Sequence, residues 1–174
     1  MRTMKFIAKE LWRTVNCGSM RAFDRAAKEW KKNDVLYRKL LQRVLPRLKP
    51  SSRAFFKQIG LLHDGTLLSF EAGDVLDFSI SKSSRPRNTR ARILVEASDL
   101  TVLTLNYQTV TRIAFDFPSD KPLFDYENIG DWGYDQLTLV RPEVLRHEIV
   151  FSSGATILIE SRQITVKRQS PNNK

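Results

Sequence analysis

The hydrophobic period of this chain changes once, at Gly60, and that change limits the fold more than any other feature. Before it, apolar residues recur every three or four positions, as on a helix; after it they alternate, as on strands. Segments 66–71, 75–82, 91–96, 101–107, 110–116, 134–140, 146–151, 155–160 and 163–167 are rich in β-branched or aromatic residues and read as strands. Ala72-Gly73-Asp74, Ala97-Ser98-Asp99 and Ser152-Ser153-Gly154 supply turn chemistry between some of them. No helical stretch separates the strands, which argues for an antiparallel meander and against βαβ units. The expected class is therefore α+β, with N-terminal helices packed on a mostly antiparallel sheet of seven to nine strands that can curl. Residues 1–60 form the helical segment, 61–168 the β domain and 169–174 a frayed tail, all within one structural unit.

Before Gly60, three helices are expected. The first spans 5–16, with Phe6, Leu11, Trp12 and Val15 on its apolar side, and Gly18 suits its stop. The second spans 20–45. Phe23, Ala27, Trp30, Asp34, Tyr37, Leu41 and Val44 alternate spacings of four and three and so share one stripe, predicted to face inward. Arg21, Arg25, Lys28, Lys32, Lys39 and Arg43 fall on the opposite side. Pro46 and Pro50 stop this helix and bracket a turn, and Ser51 or Ser52 is placed to cap a short third helix ending at Gly60.

Charge follows the same division. Residues 1–58 hold 16 Lys/Arg against 4 Asp/Glu, a net of +12, whereas residues 59–174 hold 13 against 15, a net of −2. Four acids are too few to neutralise sixteen bases by i,i+4 pairing, so the basic face of the long helix is a candidate site for an anionic partner. An acidic protein and a nucleic acid both fit. A further basic stretch, 82–90, reads as an exposed hairpin loop, and no helix-turn-helix, zinc-finger or aromatic RNA-binding pattern accompanies it.

Evidence for catalysis is thin. His63-Asp64 and His147-Glu148 each pair an imidazole with an acid near a strand start, and together they are the candidates for a metal site of a metal-dependent hydrolase. The competing reading makes each a structural residue, since His147 shares its strand face with Ile149 and Phe151. Asp116, Asp120, Asp125, Asp131 and Asp135 lack the spacing of a calcium loop and read as solvated charges. In Asp131-Trp132-Gly133-Tyr134-Asp135 the aromatics are expected to plug one end of the core. Cys17, at a helix C-terminus, is a poor nucleophile, and a single cysteine excludes an internal disulfide. No phosphate loop or catalytic triad can be argued from spacing, and no cofactor is expected. The composition fits a cytoplasmic chain with no membrane partner. The balance favours a non-enzymatic interaction module over an enzyme.

The segments Met4-Lys5-Phe6-Ile7-Ala8-Lys9-Glu10-Leu11-Trp12, Leu62-His63-Asp64 and His147-Glu148-Ile149-Val150-Phe151 together resemble a bacterial domain-of-unknown-function family. The resemblance implies an α+β fold, a bacterial source and a usual start at Met4, and it carries no activity.

Overall fold

In the computed structural model, residues 14, 20–58, 60–75, 88–117 and 129–169 are described. Helix α1 is Met20–Val44, followed by a 3-10 turn, Leu45–Arg47, and a short helix α2, Pro50–Lys57. Six strands follow: β1 Gly65–Val75, β2 Asn88–Glu96, β3 Val102–Asp116, β4 Asp131–Arg141, β5 Val144–Phe151 and β6 Thr156–Arg168. They close into an antiparallel barrel in the order β1-β2-β3-β6-β5-β4.

The α+β class holds, but the described residues form six strands where seven to nine were expected. Two expected interruptions are bends inside continuous strands. Segments 101–107 and 110–116 join as β3 through Thr109, whose φ is 52°, and a register shift follows between Val110 and Arg112. Segments 155–160 and 163–167 join as β6. The two bends face each other, because Gln108 opposes Gln163 and Val110 opposes Ser161. A bulge sharpens local twist and lets a long pair wrap a small barrel without a break in pairing. Likewise Ala72-Gly73-Asp74 continues β1, and Asn88–Arg90 belongs to β2 instead of a loop. Most of the expected strand 75–82, the rest of the basic loop and the helix 5–16 apart from helical Thr14 lie outside the described residues.

The core fills the barrel. Ile93 and Val95 of β2, Leu105 and Tyr107 of β3, Trp132 and Leu137 of β4, Ile149 and Phe151 of β5, and Ile157 and Ile159 of β6 are all fully buried. On β2, β3, β5 and β6 they occupy alternate positions, as the pleat requires of one inward face, and on β4 the register shift between Trp132 and Tyr134 lets Trp132 and Leu137 share that face. Trp132 thus occupies the core as its aromatic cluster suggested. Gly130 opens β4 at φ 76°, where a Cβ would fall 2.2 Å from Ser152 Oγ, the atom that accepts the Asp131 N–H at 2.8 Å. A side chain there would displace that contact.

The helices finish what the strands leave open. The β1–β4 seam is short, with Gly65 opposite Trp132 and Thr66 opposite Asp131. Beyond it, the Leu137 N–H donates to Tyr37 Oη of α1 at 2.8 Å. On the other side β6 outruns β5, and Ser52 of α2 covers its free edge. Ser52 Oγ accepts from Val166 N–H at 3.1 Å and donates to the Ile164 carbonyl at 3.2 Å. Ser52 is therefore an edge cap for the sheet and not the helix cap expected of it; Lys49 stands at the helix N-cap and Pro50 opens the helix. Arg53 holds the connection by donating to the carbonyls of Leu45 at 3.0 Å and Leu48 at 3.2 Å.

The stripe of α1 is buried more tightly toward its C-terminus. Tyr37, Leu41 and Val44 are buried, and Trp30 is half-buried with its ring edge-on to Tyr134 at 4.6 Å. Phe23, expected to face inward with them, is 44% exposed. Trp30 packs on Val150 and Tyr134 of the barrel, and Phe23 lies about two helical turns before it.

Candidate functional site

The four His and acid residues proposed as a metal site are distributed over different surroundings. His63 and Asp64 form a local pair, Nδ1 to Oδ2 at 2.9 Å, on the turn before β1. Asp64 adopts φ 62°, a conformation that Asp tolerates better than most residues, and its N–H donates to the Trp132 carbonyl at 2.9 Å. The His63 ring meets Tyr134 edge-on at 4.8 Å. Burial and then the charge of Asp64 raise the Tyr134 phenol above its ordinary range.

His147 and Glu148 are consecutive on β5 and so point to opposite faces of it. Glu148 Oε2 accepts from Gln136 Nε2 at 2.6 Å, across the β4–β5 pair. His147 is fully buried inside the barrel. Among the described residues, no group of three or more His, Cys, Asp and Glu side chains is arranged to hold a metal ion.

What the interior contains instead is a Tyr-His-Asp chain. Tyr107 Oη lies 2.7 Å from His147 Nδ1, and His147 Nε2 lies 2.9 Å from Asp135 Oδ2. The other Asp135 oxygen accepts from Trp132 Nε1 at 3.2 Å. A carboxylate only accepts, so Nε2 carries a proton, and in the neutral ring Nδ1 then accepts from the Tyr107 hydroxyl. Burial, reinforced by the Asp135 charge, pushes the Tyr107 phenol well above its usual range and keeps it a donor. The Tyr37 phenol rises for the same two causes in the same order. Phe56 and Trp132 enclose the imidazole at centroid distances of 5.4 and 6.1 Å. Beside Asp135, a cavity bounded by Tyr37, Phe56 and Gln58 measures about 10 Å³, the limit for a single water.

This chain has the partners of a proton relay, but the cavity beside it has room for no more than a single water. Both imidazole nitrogens are engaged by protein groups, and no buried side-chain nitrogen or oxygen among the described residues is left without a partner. Such a network fixes the relative positions of β3, β4 and β5. Asp135 is the residue that sequence reasoning missed when it placed the acid among solvated loop charges. A signal was present: Asp135 sits in the same alternate row of β4 as Leu137 and Leu139.

The basic residues of α1 are arranged differently. Arg21, Arg25, Lys28, Lys32, Lys39 and Arg43 are all exposed. At about 100° per residue they fall within a sector of about 60°, and at about 1.5 Å per residue the row runs roughly 33 Å. Asp24, Glu29 and Asp34 lie outside that sector, and the ion pair seen along α1 among the described residues is Arg38 to Asp34 at 2.7 Å. Val35 and Leu36, 48% and 44% exposed, flank the row. No described helix is long and apolar enough to cross a membrane.

No family model, curated protein or solved structure matches this chain.

Proposed function

We propose that this protein is a non-enzymatic interaction module, in which the barrel is a scaffold and α1 engages an acidic protein partner. Arg21, Arg25, Lys28, Lys32, Lys39 and Arg43 are the contact residues. The observation that carries this reading is the six-cation row itself, exposed along its length and free of acids within its sector. Exposed Val35 and Leu36 beside it favour a protein surface, which offers apolar contacts between its carboxylates. The closed Tyr107-His147-Asp135 chain supports the non-enzymatic half, because its groups are spent on one another.

A nucleic acid is the second reading, favoured by the length of the row. A span of roughly 33 Å is about one turn of a duplex, enough for several phosphate contacts. Affinity capture from lysate at low salt separates the two. The expected result is a protein that stays bound after nuclease treatment and is lost when the bait carries Lys28→Glu with Lys32→Glu. A partner released by nuclease transfers the proposal to nucleic acid. Recovery of nothing with the wild-type bait, or equal recovery with the charge-reversed one, defeats the α1 reading.

A further inference from the structure

A groove of about 510 Å³ lies on the outer side of the barrel where β1, β2, β3 and β6 run side by side. That volume is typical of sites for small molecules, which take up about 300–1,000 Å³. Its chemistry follows from the register. Ala91 and Tyr107 oppose each other and point into the core, so Arg90, Arg92, Asn106 and Gln108 point out into the groove. Arg92 opposes Asn106, and Asn106 opposes Thr165, which makes a row of guanidinium, amide and hydroxyl across three strands. Arg90 and Arg92 are two residues apart on one face, roughly 7 Å along the strand, a spacing from which two guanidiniums reach one phosphate-sized anion. Glu71 stands opposite Arg92, yet neither arginine forms an ion pair with a described residue.

We propose that this groove binds a phosphomonoester of a small polyol, such as a sugar phosphate. The phosphate sits on Arg90 and Arg92, and Asn106, Gln108, Thr165 and Glu71 receive the hydroxyl groups. Guanidinium pairs recognise phosphate oxygens bidentately, whereas amide, hydroxyl and carboxylate side chains match the mixed donors and acceptors of a polyol. A nucleobase is disfavoured because Tyr107, the aromatic ring in the described lining, is fully buried and offers no face for stacking. The wall on β1 is low at Ala72 and Gly73, and a Cβ on Gly73 would meet nothing within 4 Å. Gly73 pairs with outward-facing Arg90, so a larger side chain there enters the groove beside Arg90 and fills space that a ligand on that arginine needs. The groove is built from strands other than β4, on which α1 packs, and the proposal does not depend on the role given to α1.

Calorimetric titration of the full chain with ribose 5-phosphate, inorganic phosphate and ribose tests it. The sugar phosphate is expected to bind, phosphate more weakly and ribose not measurably. Arg92→Ala should weaken the sugar phosphate at least tenfold, as should Gly73→Leu, while Lys28→Glu with Lys32→Glu leaves it unchanged. Thermal melts check each variant, and Arg92→Lys, which keeps the charge but not the fork, supplies a milder substitution with an intermediate loss. The proposal is overturned by the absence of heat at millimolar sugar phosphate. It is equally overturned if Gly73→Leu binds like wild type, or if the α1 reversal weakens binding as much as Arg92→Ala.

Discussion

The interior around His147 and the outer row of α1 treat polar groups in opposite ways. Inside, Tyr107, His147, Asp135 and Trp132 satisfy one another, donor to acceptor, over 2.7 to 3.2 Å. Outside, six cations share a sector that contains no acid. The difference follows from the cost of a mismatch. An unpaired polar group in a dry interior costs about 1–3 kcal/mol, and a charge costs more, so that region tolerates only closed networks. An exposed cation keeps its water and can stay without a partner at little cost to the fold. Closure therefore marks architecture, and surplus charge at the surface marks a region left open to something else.

The strongest way to break the comparison is to open the closed network. His147→Ala removes the middle of the chain and leaves the Tyr107 hydroxyl and one Asp135 oxygen without their partner, so it should destabilise the protein by about 3–5 kcal/mol. Denaturant titration of the variant checks this. A loss below about 1 kcal/mol would mean that the interior chain is not holding β3, β4 and β5 together.

Next in size is Ser52→Ala. It leaves the Val166 N–H and the Ile164 carbonyl without their partner at a buried edge, at an expected cost of about 2 kcal/mol. Hydrogen exchange should show the Val166 amide losing protection ahead of its neighbours in β6. If that amide stays protected, the free edge of β6 is covered by something other than Ser52.

Alkaline titration sharpens the same side of the comparison. Tyr37 and Tyr107 have phenols raised by burial and then by Asp135, while an unfolded tyrosine ionises near 10. Folded-state values above the unfolded one give a contribution that is complete below about pH 10. Above that, the unfolded chain releases protons that the folded one retains, and the stability is lost progressively as pH rises through the folded values. The slope should approach about 1.4 kcal/mol per tyrosine per pH unit. Tyr37→Phe and Tyr107→Phe should each flatten the alkaline limb of a melting-temperature profile. An unchanged slope in both variants would show that other groups govern the alkaline transition.

These residues also show where the sequence was readable. Alternation located each of the six described strands and put His147 on the face of Ile149 and Phe151, because the period of two is a local property. It divided β3 and β6 too often, since a bend in a closed barrel interrupts the pattern as a turn does, and only the facing positions of Gln108 and Gln163 tell the two apart. The interior chain was hidden for a related reason. His147 reaches 40 positions back to Tyr107 and 12 to Asp135, and register is a property of pairs of strands. Ser52 shows the same limit, because its partners lie 112 and 114 positions away. On α1, the inward stripe was legible from Trp30 to Val44, where the helix has a wall to pack on, and not at Phe23.

The smallest expected effect on stability belongs to the open side. Lys28→Glu with Lys32→Glu reverses two charges at the middle of the row, where both side chains are exposed and neither takes part in a described ion pair. The two sites are four residues apart and face the same way; the new glutamate at 28 lies near Arg21 and Arg25 but also near Asp24, and the one at 32 lies near Glu29 and Leu36, all of them exposed. Attraction to Arg21 and Arg25 and repulsion from Asp24 and Glu29 are each worth about 0.2–0.5 kcal/mol and partly cancel, so the melt should move by less than about 1 kcal/mol in either direction. Added salt should leave that small difference smaller still, since exposed charges are screened over about 10 Å at 0.1 M. Binding should respond in the opposite proportion: a row that loses two cations and gains two anions should no longer hold an acidic partner. If the double variant instead unfolds under conditions where wild type is stable, the row is structural, and the distinction between a closed interior and an open surface fails at α1.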